Sequence, residues 1–471
     1  MKSLDSARGS TDPQRQKDYM RSWEYWANIH GFFGPDSMNG PIAAYVASLQ
    51  GQVPQVVIDS FNGLQDQTVP ADGVASKVWG TCQHSHSGSD GKLVQANFWG
   101  WHRIYLYYFE KVLRWAAEDD TLNLPYWDYT NVNHLVLPAP YQNSHTSLFE
   151  PKRAIGYNSG GKLPADDTDA DSALGMGAYL DAELAVETGV HGNVHCDVGG
   201  AANGCPQALM GKVPVAANDP IFYSHHANID RLWACWQGIH GAPAQGDWMN
   251  QDFSFPDETG TLQTRKVSEF LKTEARGYRY EQTSNCLRHP APEAVRTAAI
   301  EGQNNENAAA AEPTILGSAA AVKLTQATTQ VKISVPRVPM LAAQKMGAPV
   351  ATKLVLSQVS AKVPPGPVLR VYVEVTGKRA LRKLVGSINW FAEFEHEGGP
   401  SVRDLTFDIT NAVHALGEPA SGLTVTFQAS KGVDMPTTKA LKSTAATGTP
   451  FNPAADLTVG SIQIEQVPKT Q

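Results

Sequence analysis

The sequence predicts a mainly α N-terminal domain built on a four-helix bundle, followed by an all-β, sandwich-like C-terminal domain. Three observations predict it. Histidines recur on the apolar stripes of amphipathic segments through residues 1–290. Residues 301–322 (EGQNNENAAAAEPTILGSAAAV) have the composition of a linker. Beyond about Val331 apolar and polar residues alternate in short runs split by Gly and Pro, the period of strands. The expected division is 1–290, a linker at 291–329, and a β-rich domain at 330–471.

A chain of 471 residues can form two or three domains with real cores. Its 42% hydrophobic and 18% charged content is ordinary for a globular protein. The net charge of -8, with no basic tract, argues against a nucleic-acid partner. No apolar run is long enough to cross a bilayer, so no membrane partner is expected. The polar start MKSLDSARGSTDPQRQKDYM fits a cytoplasmic chain, or a mature one whose export signal has gone. The cysteines, Cys82, Cys196, Cys205, Cys235 and Cys286, are odd in number and do not read as a disulfide framework. Cys196 and Cys205 flank a Gly-rich loop and can pair in an oxidising compartment. No CxxC pair occurs, so the thiolate zinc patterns are missing.

Residues 19–30 (YMRSWEYWANIH) have helical spacing, stopped by Gly31 and Gly34-Pro35. His30 closes that helix. Residues 78–90 (VWGTCQHSHSGSD) read as a loop holding Cys82, His84 and His86. Residues 97–118 form the strongest amphipathic helix, with His102, Leu106, Phe109 and Leu113 on one stripe. LPYWDYTN (124–131) is an aromatic connector expected to be buried, whereas His134 and His145 read as surface residues.

Residues 171–195 end in His191 and His195, four apart and therefore one turn apart on one helix face, with Glu187 four residues earlier. Such a His-x3-His pair beside a carboxylate is a common chelating arrangement. NDPIFYSHHANIDRLW (218–233) places His225 and His226 among apolar and aromatic residues, after a helix-opening Asp-Pro. The β-rich part offers strands at 368–375, 385–397, 402–410, 422–428 and 457–467, enough for a sandwich or barrel.

The histidines fall into two trios: His30, His84 and His102, then His191, His195 and one of His225 and His226. Two trios imply two metal ions in a bundle core. Imidazole donors suit copper, zinc or nickel, and a purely neutral set favours copper over a zinc hydrolase site, which more often adds a carboxylate.

WHRIYLYYFE and DPIFYSHHANIDRLW resemble the two copper-binding signatures of the type-3 copper family: tyrosinases, catechol oxidases and molluscan-type haemocyanins. The likeness runs from Ile29–Gly31 to Asp230–Trp233. The C-terminal part, with VGSINWF, resembles the domain that shields the copper site in plant-type polyphenol oxidases. The resemblance implies two copper ions in a binuclear site, with O2 as co-substrate. It assigns His30, His84 and His102 to the first copper, and His191, His195 and His226 to the second. Adjacent helical side chains diverge by about 100°, which agrees with choosing His226 over His225. His226 and Asp230 then share a face, so Asp230 is expected to hold that imidazole in place. Cys82-x-His84 is similar to the family's Cys–His thioether. Glu187 stands where family members hold a water that deprotonates substrate.

Two departures matter. The usual first signature has a histidine nine residues before the HR histidine; here that place is Leu93, and HSHSGSDGKLVQ reads as an insertion. His84 is preferred to His86 for its spacing from Cys82. The residue after His191 is Gly192, where efficient monophenol hydroxylases often carry Asn. The resemblance implies an oxidoreductase that ortho-hydroxylates monophenols and oxidises o-diphenols to o-quinones. The alternatives are a catechol or o-aminophenol oxidase without the first step, or an oxygen carrier. Small phenols are the expected partners, and a homo-oligomer is compatible with the sequence.

Overall fold

The computed structural model describes residues 1–32, 73–84, 97–151, 153–154, 156–199, 208–281, 283, 286–289, 313–335, 350–375, 382–391, 401–416, 422–430, 432 and 451–468. Two hydrophobic cores are present. One belongs to the helical part, the other to the β part.

The helical part opens with α1 (Pro13–Met20) and α2 (Trp23–His30). The single helix expected at 19–30 is therefore two. Ser22 breaks it, because its side chain accepts the Tyr25 amide and starts a new helix. At the end of α2, Gly31 is required for space: a Cβ there would sit 2.3 Å from the Pro214 Cα. The long amphipathic segment forms α3 (Phe98–Ala117). Residues 171–195, which end in the His-x3-His pair, are segmented. They run through α4 (Tyr179–Val186), a turn at Glu187–His191 that breaks at Gly189 (φ -98, ψ -110), and into α5 (Gly192–Gly199). The Asp-Pro stretch opens α6 (Ile221–His240), which is buried along most of its length.

The bundle is bonded by aromatics. Trp26, Trp99, Trp101, Trp233 and Trp236 are fully buried, and Trp99 stacks on Trp233 at 5.9 Å. Trp127 and Tyr129 of the aromatic connector are buried, while His134 and His145 are exposed, as the composition implied. A Cys235–Cys286 disulfide ties α6 to the segment after it, a pairing that cysteine counting did not suggest. Cys196 is also disulfide-bonded, but its expected partner Cys205 lies outside the described residues, as does His86. No helix among the described residues is long and apolar enough to cross a membrane.

A hairpin, β1 (Asp252–Pro256) and β2 (Leu262–Lys266), leads out of the bundle. The β part has two antiparallel sheets. One has the order β5 (Thr328–Ile333), β10 (Leu423–Ala429), β7 (Leu369–Val375), β8 (Arg382–Ile388). The other runs β3 (Thr314–Ala319), β11 (Thr458–Pro468), β6 (Val350–Ala361), β9 (Ser401–Asp408), with β4 (Val322–Lys323) also on β11. Strands thus begin inside the stretch expected to be linker at 291–329. Small residues in ILGSAAAV gave no local signal; pairing with β11 makes them a strand. The longest strand, β6, was also unannounced. Its alternation is interrupted at Gln358, a non-glycine residue at φ 53 beside a register shift.

The two parts are pinned together. Arg370 on β7 bonds Asp167 at 2.6 Å, Tyr372 donates to Asp166 at 2.6 Å, and Ser430 donates to Asp167 at 2.6 Å. Cys196 and Val213 of the helical part pack into the β core.

Candidate metal centre

Six of the histidines brought to the bundle core come from helices. α2 supplies His30, α3 His102, the broken α4–α5 segment His191 and His195, and α6 His225 and His226. All six are at most 1% exposed. His84 enters from the loop after Val78. Donor atoms of His191, His195, His225 and His226 lie within 4.8 Å of one another; so do those of His30, His102 and His226, and those of His30, Cys82 and His84. His102 and His226 stack face to face at 4.3 Å, joining the two groups.

The ring orientations are set from outside. Nδ1 of His30 lies 3.1 Å from the Val213 carbonyl, that of His102 2.7 Å from Phe98, that of His191 3.1 Å from Glu187, and that of His195 2.6 Å from Met210. A carbonyl only accepts, so each Nδ1 carries the proton and each Nε2 lone pair faces inward. His225 follows the same plan with the Tyr129 hydroxyl at 2.8 Å. Among the described residues, Nε2 of His30, His191 and His225 has no hydrogen-bond partner. Buried ring nitrogens left without partners are costly unless a metal takes them. Burial, then the neighbouring imidazoles, hold these six rings well below the usual histidine range, about 3 for His30. The donor set is therefore neutral at physiological pH, and it fits a pair of copper ions.

His84 differs. Its Nε2 is 3.4 Å from Cys82 Sγ, and its Nδ1 is 2.9 Å from Glu187 Oε1. Burial alone would lower its pKa, but the Cys82 sulfur and then Glu187 carry it well above the usual value. Cys82 Sγ is also 3.4 Å from His102 Nε2.

One sequence expectation needs correction. Asp230 does not hold His226. It accepts from Arg103, whose guanidinium is fully buried, and from the hydroxyls of Tyr278 (2.8 Å) and Tyr280 (2.6 Å). A buried guanidinium is the stronger partner for a carboxylate. His226 Nδ1 has no partner among the described residues. His226, which the resemblance chose over His225, is in the cluster, and the structure brings His225 into the same cluster with the better-anchored ring.

The β domain reaches into this centre. Beyond β8, the Phe391 ring stacks on His195 at 4.1 Å and 13°, and lies 5.5 Å from His191. Asn389, two residues earlier, donates to the Thr188 carbonyl at 2.6 Å and to Asn193 at 3.1 Å. The break at Gly189 frees such carbonyls from the helix, and Asn389 takes one up. Gly192 is the space this needs: a Cβ there would lie 2.5 Å from Asn389 Oδ1. Asn389 and Phe391 were not singled out in the sequence; only the VGSINWF run pointed to them.

A bundle core lined by neutral, outward-anchored imidazoles is of the class that can hold metal ions. The sequence comparisons give the family. The common central domain of tyrosinase matches residues 20–173 and 168–239, and the polyphenol oxidase middle domain matches 243–292. The chain belongs to the tyrosinase and polyphenol oxidase family of type-3 copper proteins, a family that implies a binuclear copper site. It is 31% identical over 221 residues to a chloroplastic polyphenol oxidase of Vitis vinifera, covering 39% of this chain and 36% of that protein. With the latent chloroplastic form of Prunus armeniaca it shares 29% over 227 residues, 40% of this chain and 38% of that one. These matches span well under half of the relatives' length. In fold, the chain is similar to a latent aurone synthase (polyphenol oxidase), with a TM-score of 0.57 at 16% identity, covering 94% and 89% of the two chains. Latent apple tyrosinase gives 0.52 at 19% identity, covering 98% and 96%.

Proposed function

We propose that this chain is a binuclear copper oxidase that converts o-diphenols to o-quinones with O2, and ortho-hydroxylates monophenols more weakly. The observation that carries the reading is two buried groups of inward, neutral imidazoles, His191, His195, His225 and His226 and then His30, His102 and His226, with donor atoms within 4.8 Å of one another inside each group. His30, His84 and His102 would hold one copper; His191, His195 and one of His225 and His226 the other. Bound copper supplies the one-electron redox chemistry that lets O2 oxidise a phenolic ring.

The protein supplies placement and proton handling. A phenol has a pKa near about 10 and must lose its proton to bind a metal well. Glu187, buried beside His84, is assigned the task of accepting that proton through a water. The β domain keeps substrate out through Phe391, which occupies the face of His195 that a phenol ring would need. A diphenol-only enzyme is the second reading. The contact between Gly192 and Asn389 favours it, because position 192 carries no side chain to help hold a water.

The test is copper content together with turnover. Protein loaded with copper and cut within residues 301–312 should hold two coppers per chain and oxidise catechols to coloured quinones. A lag with monophenols, abolished by a trace of diphenol, marks hydroxylation. Well under two coppers, or reversible O2 uptake with no quinone from any phenol, would sink the reading.

A further inference from the structure

Glu183 lies one turn before Glu187 and two turns before His191, yet the chemistry above does not use it. It is fully buried. Its Oε1 accepts the Trp99 amide at 2.9 Å and lies 3.4 Å from the Tyr179 hydroxyl. Trp99 is the second residue of α3, and first-turn amides have no acceptor within their own helix. A side chain at the N-cap normally supplies one. Asn97, in that place, makes no such bond, and neither polar atom of its side chain has a partner among the described residues. The cap of α3 comes from a different helix.

That first turn matters to the metal centre. Its Phe98 carbonyl accepts from His102 Nδ1 at 2.7 Å and so aims His102 Nε2 inward. The same strip of chain reaches both trios. Glu183 fixes the turn that holds His102, the Glu187 side chain meets His84, and the Glu187 carbonyl holds His191. We propose that Glu183 is a positioning residue for the metal centre, which by capping the first turn of α3 sets the His102 imidazole and thereby the grip on one of the two ions. The proposal rests on the binuclear copper reading.

Burial, opposed by the bonds from Trp99 and Tyr179, pushes the Glu183 pKa up to about 8. The carboxyl is a neutral acceptor at neutral pH, so an amide can replace it. Glu183→Gln keeps the acceptor. Glu183→Met keeps the volume and loses the acceptor.

The experiment loads wild type and both variants with copper, then counts ions retained per chain against a graded chelator. Metal-free proteins are followed in parallel by thermal unfolding and by exchange of the His102 ring proton in NMR. Wild type and Glu183→Gln should hold both ions alike and exchange the His102 ring proton alike. Glu183→Met should shed one ion at chelator concentrations about 10- to 100-fold lower, hold the other as wild type does, and exchange the His102 proton faster. Adding Asn97→Asp to Glu183→Met, which offers the same amides a local cap, should restore the lost ion. The proposal is overturned if Glu183→Met keeps both ions like wild type. It is equally overturned if both ions leave together, or if Glu183→Gln fails as Glu183→Met does. If wild type itself holds fewer than two coppers, the copper reading falls and takes this inference with it.

Discussion

The two halves of the metal centre are built differently. His191, His195 and His225 sit on two helical segments, with each Nδ1 pinned by a backbone carbonyl or the Tyr129 hydroxyl. The first half draws on three separate elements: the end of α2, the start of α3 and a loop. Its loop member, His84, is held by side chains, Cys82 and Glu187, rather than by backbone. A half whose rings are all pinned by backbone carbonyls or one buried hydroxyl is set once the bundle folds. A half assembled from distant elements depends on contacts that a single substitution can remove. The β domain also treats the halves unequally. Phe391 covers His195 at 4.1 Å but stays 6.5 Å from His84.

The largest expected effect breaks the rigid half. His195→Ala should abolish quinone formation and cost one of the two coppers, measured by metal analysis; full activity would mean the pairing of histidines is wrong. Next is the cover. Phe391→Ala should raise catechol turnover in the uncut chain several-fold. It also removes a buried aromatic, so stability should fall by about 3 kcal/mol, read from denaturant melts. Unchanged kinetics would remove Phe391 from the shielding account.

Smaller is the clasp between domains. Asp167→Asn leaves Arg370 largely buried with a weakened partner, at a cost of about 3 kcal/mol. The uncut chain should gain part of the activity seen with Phe391→Ala, and the gain should vanish once the β domain has been cut away. Gly192→Ala should do less. Its new Cβ pushes on Asn389, and the expected sign is mild activation of the uncut chain with no change in the cut one.

The smallest effect concerns pH. The folded pKa of Glu183, about 8, lies above its ordinary 4.5. A raised pKa contributes stability that is full below pH 4.5 and is lost as pH rises toward 8. Glu183→Gln has no such loss. The stability difference between wild type and Glu183→Gln should therefore shift in favour of the variant across that window and level off above it. A pH-independent difference would mean that the carboxyl ionises normally.

Much of this was written locally. The stripe of α3 put His102 inward, the spacing of four put His191 and His195 on one face, and the turn chemistry of Asp-Pro opened α6. The signature segments were long and specific enough to give the family. Alternation gave most strands of the β domain, because a half-buried strand must alternate. Local pattern failed where a partner decides. The strand at Thr314–Ala319 exists through β11, whereas the split at Ser22 comes from a cap three residues away, a local signal that helical spacing alone does not register. Asp230 turned away from His226 because Arg103, far off in sequence, is the stronger partner.

By itself, then, the sequence determined the two-part fold, the inward histidines and the kind of metal they suit, since periodicity and donor chemistry are properties of neighbours along the chain. Tertiary structure alone decided which carboxylate serves which group, that His225 joins the cluster, and that Asn389 and Phe391 close it. Those outcomes depend on residues about 20 to 200 positions apart meeting in a water-poor core, where the strongest available partner wins and no local spacing records which one that is.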